Sequence, residues 1–293
     1  MKAFLAILFT GLMVLASPVS AQHREYTQAE LDALLAPVAL YPDALLSKVL
    51  MAATYPADVG EAAAFLRANP HLSGEQAVHA AQHQPWDPSV KSLLAFPDVL
   101  QRMDESPQWM MDLGQAFLTH EPHVMDTVQG LRRRAHAAGH LRNDSHHAIQ
   151  QNGSALAVVP VQPRIVYVPY YNPYVVYGPW WWPHYRPVHW RPWRPAPVVV
   201  SSGFFFSNVD WHHRHVRVIH RPAYVHHGHV HVAPGKWRHH HRAEVRPHHR
   251  VPEAQCRPIV SSMPPAAHVH TPRAHAHKEH RREGRHRHHE HRR

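Results

Sequence analysis

The side chains best suited to chemistry in this 293-residue chain are its 34 histidines. Those in residues 211–293 come in groups: His212-His213-x-His215, His226-His227-x-His229-x-His231, His239-His240-His241, His248-His249, His275-x-His277 and His286-x-His288-His289-x-His291. In an extended backbone, residues two apart face the same side, so His-x-His offers two imidazoles to one borderline cation such as Zn²⁺, Ni²⁺ or Cu²⁺. Tight sites also need ligands held in place by a supporting shell, and no cysteine pair or fixed carboxylate is near. The expectation is weak Zn, Ni or Cu binding by these histidines, with no cofactor required.

A second unusual stretch is residues 178–197, GPWWWPHYRPVHWRPWRPAP. A proline at about every fourth residue forbids helix and favours extended polyproline geometry. Trp180, Trp181 and Trp182 then have three uses: covering a neighbouring sheet, stacking on sugar rings, or alternating with Arg186, Arg191 and Arg194 at a lipid headgroup boundary.

Signatures of catalysis are missing. There is no G-x-S-x-G, P-loop or G-x-G-x-x-G, and His120-Glu121-Pro122-His123 is too short for H-E-x-x-H. Asp43, Asp58 and Asp98 follow prolines at helix starts, where a carboxylate favours the helix dipole. The chain therefore reads as non-enzymatic, with a hydrolase of undiagnosed site as the third choice.

The elements that must carry these groups begin with a compartment signal. Met1-Lys2, the apolar run Ala3 to Ala16 and the small-residue site Val19-Ser20-Ala21 read as a cleaved secretory signal over residues 1–21. Its apolar part is too short for a bilayer of ~30 Å, so no transmembrane span is expected after cleavage. A periplasmic or secreted location follows. The single cysteine, Cys256, permits no intramolecular disulfide.

After the signal, Thr27-x-x-Glu30 has capping-box spacing for a first helix. Leu34 to Pro56 is a compact apolar stretch with Asp43 and Lys48 as its only charges, and it marks a globular helical core. Further helix starts are read at Tyr55-Pro56, Ser73-x-x-Gln76, Asp87-Pro88, Ser106-Pro107 and Glu121-Pro122. Aromatic-Pro recurs at Tyr41-Pro42, Tyr55-Pro56 and Phe96-Pro97, each closely followed by aspartate, as proline used to start helices in a compact bundle. Residues 143–154 read as a linker or hairpin entry. Short β-branched and aromatic runs at Ala155 to Val161, Arg164 to Val168, Tyr174 to Tyr177 and Val198 to Phe206 read as strands.

Three motifs carry a resemblance: Leu34 to Pro56; Gln84-Pro85-Trp86-Asp87-Pro88-Ser89-Val90-Lys91-Ser92-Leu93; and Val166-Tyr167-Val168-Pro169-Tyr170-Tyr171-Asn172-Pro173 with Val175-Val176-Tyr177-Gly178. Over roughly residues 27 to 180 the chain resembles an exported bacterial family, domain of unknown function 3300. The resemblance implies an exported envelope protein and supplies no activity, cofactor or site residue.

Charge divides the chain. Residues 211–293 hold 17 of the 31 Lys and Arg against 5 of the 21 Asp and Glu, a net +12, while residues 1–210 carry −2. A basic arm on a near-neutral body suits a polyanionic surface. The expected partners are anionic envelope polymers or lipid headgroups, through peripheral membrane contact; export argues against a physiological nucleic-acid role. The alternative is metal sequestration by the histidines. The expected fold is mainly α: a helical domain at residues 22–142, a linker with a small Pro/aromatic-rich antiparallel β module at 143–210, and a disordered His/Arg-rich tail at 211–293.

Overall fold

The computed structural model describes residues 24–224 and 233–240. The expected signal, and His226, His227, His229, His231, His241, His286, His288, His289 and His291, lie outside the described residues.

Helix α1 (Gln28–Leu35) opens with the capping box anticipated at Thr27: the Thr27 hydroxyl accepts the Glu30 N–H and the Glu30 carboxylate accepts the Thr27 N–H at 2.9 Å. The three aromatic-Pro pairs start α2 (Asp43–Ala52), α3 (Pro56–Ala68) and α6 (Pro97–Asp104). Proline suits these positions because the first-turn N–H has no intrahelical partner to lose. Helix α4 (Gly74–Ala80) forms without the expected Ser73 cap, whereas Asp87 caps α5 (Pro88–Leu93) by accepting the Ser89 N–H at 2.8 Å. The last two expected helices join as α7 (Pro107–Ala137), broken at His120 (φ −140°, ψ 46°), two residues before Pro122.

Leu31, Leu35, Leu45, Leu46, Val49 and Leu50 are fully buried and form the centre of the bundle. Helix α7 crosses the end of α2 so closely that a Cβ added at Gly114 would lie 2.2 Å from the Ala53 carbonyl oxygen. Only glycine fits there.

Arg132 of α7, wholly buried, ties three parts of the chain together. Its guanidinium pairs with Asp43 at 2.6 Å and donates to the carbonyls of Ala39 (2.8 Å), Tyr41 (2.9 Å) and Leu156 (2.7 Å). The second Asp43 oxygen accepts the Trp211 indole N–H at 2.7 Å. Burying this charge is tolerable because every direction of the fork meets an acceptor.

The β segments make three small antiparallel sheets. Strands β1 (His147–Asn152) and β2 (Ala155–Pro160) form a hairpin whose turn places Gly153 at φ +62°, so of the two readings of residues 143–154 the hairpin entry holds. Strand β3 (Ile165–Tyr167) pairs with β4 (Pro197–Val199). The strand expected at Tyr174 to Tyr177 is corrected to a one-turn helix, α8 (Pro173–Val176), because Asn172 caps it by accepting the Tyr174 N–H at 3.0 Å and Pro173 follows at the first position.

Between β3 and β4 the Trp-rich strap lies on the helices rather than on a sheet. Trp181 and Trp182 both donate to Asp32, at 3.0 and 2.7 Å, and Val188 N–H reaches the Ala33 carbonyl at 3.0 Å. Trp190 is buried with its ring 4.9 Å from Trp109 and 6.5 Å from Tyr41.

The third sheet corrects the expected boundary at residue 210. Strands β5 (Ser207–Asp210), β6 (His215–Val218) and β7 (Gly235–Lys236) pair in that order, so the hairpin crosses the boundary and residues 211–218 belong to the folded body. Leucine is absent there, but Val216 and Val218 alternate inward and supply the apolar area. Residues 241–293 lie outside the described residues. None of the described helices is long and apolar enough to cross a membrane.

Candidate functional site

The outer face of the third sheet carries three exposed cations, Arg217, Lys236 and Arg238. Along β6, Val216 and Val218 are buried while Arg217 is exposed; on β7 Lys236 is exposed, and Arg238 follows it, also exposed. The register sets Arg217 directly opposite Lys236. Two like charges facing each other across a strand pair destabilise it. Lys236 is relieved by Glu121 at 3.1 Å, but Arg217 and Arg238 have no acidic or hydrogen-bonding side-chain partner among the described residues.

The face is held rigidly from below. Lys48 of α2, fully buried, donates from Nζ to Ser207 Oγ at 2.6 Å and sits 3.8 Å from the Phe206 ring centre. Ser47 Oγ lies 2.9 Å from the same Ser207 hydroxyl. Burial drives the Lys48 ammonium well below its usual value, opposed by the Asp87 carboxylate, and burial likewise raises Asp87 against its bonds from Ser89. At the kink of α7, Glu121 accepts the Val216 N–H at 2.7 Å. Trp237 stacks on Phe117 at 5.3 Å, and His239 stacks on Tyr55 at 4.6 Å. Ser207 and Lys48 have the separation of a nucleophile and its base, but neither exposes any surface.

The sequence-derived metal candidates fall as follows. His213 sits in the β5–β6 turn with Nδ1 3.0 Å from an Asp210 carboxylate oxygen. Its ring is 4.7 Å from that of His212 and 5.8 Å from that of His215. Arg214, between His213 and His215, takes a left-handed φ of 54°, which breaks the two-residue alternation assumed for an extended His-x-His. His239 is engaged by Tyr55, and His240 is exposed with its backbone N–H on the Tyr55 hydroxyl at 3.1 Å. Among the described residues no three His, Cys, Asp or Glu side chains are grouped to hold a metal ion.

Sequence reasoning missed Arg217, Lys236, Lys48 and Ser207 as partners. The one available signal was Lys48, the only basic residue of the largely apolar α2. Nothing local marks Ser207, because its role depends on a residue 159 positions away.

The family model described as a protein of unknown function, DUF3300, matches residues 27–242. That span covers all the described strands as well as the helices. The chain belongs to this family. The likeness therefore reaches past residue 180, to the end of the third sheet. A protein of Escherichia coli (strain K12) titled "Uncharacterized protein YacH" is 37% identical over 231 residues, covering 64% of this chain and 37% of that relative. The chain thus spans little more than a third of the relative's length. No solved structure matches.

Proposed function

We propose that this DUF3300 protein is an exported, non-enzymatic binding protein of the cell envelope whose basic C-terminal region contacts anionic envelope polymers or lipid headgroups. The observation that supports the reading is the exposed pairing of Arg217 with Lys236. Such a pair becomes favourable when a phosphate or carboxylate bridges it, since charge-assisted bonds replace like-charge repulsion. Arg238 extends the row, and residues 241–293 continue it in sequence with 12 Lys and Arg against 5 acids and 12 further histidines.

The test is co-sedimentation with vesicles of phosphatidylglycerol and phosphatidylcholine, against phosphatidylcholine alone. Three proteins are compared: the full chain, an Arg217→Gln/Lys236→Gln variant and a chain ending at His240. Binding should require the anionic lipid, weaken with salt as exposed charges are screened over ~10 Å at 0.1 M, and survive chelator. Unperturbed imidazoles gain a proton below about pH 6.5, so acid should strengthen binding. Metal sequestration behaves oppositely, because protons compete with metal for imidazole. Binding abolished by chelator, or lost on acidification, overturns the proposal; so does binding insensitive to all the changes in the chain.

A further inference from the structure

We infer that the free edge of β4 accepts an extended basic peptide as an added strand. This goes beyond the polyanion reading, with which it shares no residue. A cleft of about 570 Å³ runs between β4 and the starts of α4 and α6, within the range usual for ligand sites.

Its orientation follows from the pairing register. Val200 donates to the Arg164 carbonyl at 2.8 Å, so residues 198 and 200 point their backbone groups at β3, and residues 197, 199 and 201 point theirs away. The outward N–H of Ser201 is taken by the Glu75 carboxylate of α4, which places α4 on the far side of the cleft. The N–H and C=O of Val199 and the C=O of Pro197 have no partner among the described residues. An unpaired edge that lines a cleft is a template for one more strand.

The walls choose the peptide's character. Asp98 and Glu75 line the cleft, and no Lys, Arg or His does among the described residues. Asp98 is half-buried and its carboxyl makes no hydrogen bond among the described residues; burial raises it from its ordinary value, with Arg102 opposing. A cationic side chain in the cleft would restore that lost solvation. Beside it, the half-buried Trp193 offers an aromatic surface for an ammonium or guanidinium, and Val168, Val198 and Phe96 accept apolar neighbours. Alternating basic and apolar residues meet both demands, because a strand presents them to opposite faces.

The experiment is calorimetric titration of the full chain with acetyl-Val-Lys-Val-Lys-Val-amide. It is compared with the glutamine analogue and with the same lysine peptide N-methylated at alternate residues. The lysine peptide should bind about tenfold or more tighter than the glutamine one, roughly 1.4 kcal/mol. Asp98→Asn should erase that difference. N-methylation should abolish binding, as should Val199→Pro, which removes an outward N–H without touching the bonds to β3. Undiminished binding of the N-methylated peptide, or equal affinity for lysine and glutamine peptides, overturns the inference. It is also overturned if chitotriose, rather than any peptide, binds in an Asp98-dependent way. If Val199→Pro alters the circular dichroism spectrum, the N-methylated peptide alone decides the strand pairing.

Discussion

Lys48 and Ser207 share a hydrogen bond of 2.6 Å across 159 residues of sequence, and neither exposes any surface. Burial there disfavours the protonated form of the lysine, and the cost of that varies with pH.

The unfolded lysine titrates near its usual 10.5 while the folded one lies well below it. Between those two values the unfolded state holds the extra proton, so stability rises with pH by up to about 1.4 kcal/mol per unit. Lys48→Met removes the dependence and keeps the volume. The melting temperature of the variant should exceed that of the parent near neutrality, and the gap should narrow as pH rises toward the usual 10.5. A gap that widens with pH contradicts the buried-amine account.

Two glycines of α7 should respond in opposite ways. Gly114→Ala drives a methyl into the Ala53 carbonyl, an atom of the backbone that cannot step aside, and should cost about 2 kcal/mol or more. At Gly130 the nearest atom is a flexible Arg133 nitrogen at 4.0 Å. There the same change should stabilise by up to about 1 kcal/mol through helix propensity. Urea titrations of both variants measure the contrast.

Removing Arg132 strands several acceptors at once. Arg132→Met should destabilise by about 3–5 kcal/mol, because Asp43 is left buried without its counter-charge. Loss of the Arg132–Trp211 contact, whose centres are 4.8 Å apart, should also change the tryptophan fluorescence.

Trp237→Ala deletes the stack on Phe117 that fastens β7 to α7. Limited proteolysis should then cut first within residues 219–240, leaving the helical bundle intact. Cleavage that starts in the bundle instead contradicts the assignment of Trp237 as a fastener.

The helices were legible because their signals are local: Thr27 with Glu30, Asp87 before Pro88, and an aromatic-Pro pair at the start of α2, α3 and α6. The sheets were legible only in part. The segment of β1 reads equally as linker or hairpin entry because its residues alternate weakly, and Tyr174 to Tyr177 reads as strand because propensity outweighed the Asn172-Pro173 cap. Strands β6 and β7 of the third sheet were read as part of a tail for a physical reason. The apolar residues of the sheet are few, and they suffice only because α2 and α7 supply the other half of the contact. The candidate site was half visible: the excess of cations could be counted, but the Arg217–Lys236 register brings together two strands that no local pattern pairs.

The tie between α2 and β5 also sets an order of events. Helix α2 is complete about fifty residues into the chain, yet the Lys48 amine, the Asp43 carboxylate and the Tyr41 carbonyl all find partners in segments more than ninety residues later or beyond. Contacts of such separation must wait for long loops to close. The helical half emerging from a ribosome can already pair Asp43 with Arg132, whereas Lys48 meets Ser207 only when residues near 210 arrive. The tie that joins α2 to β5 is therefore among the last contacts able to close.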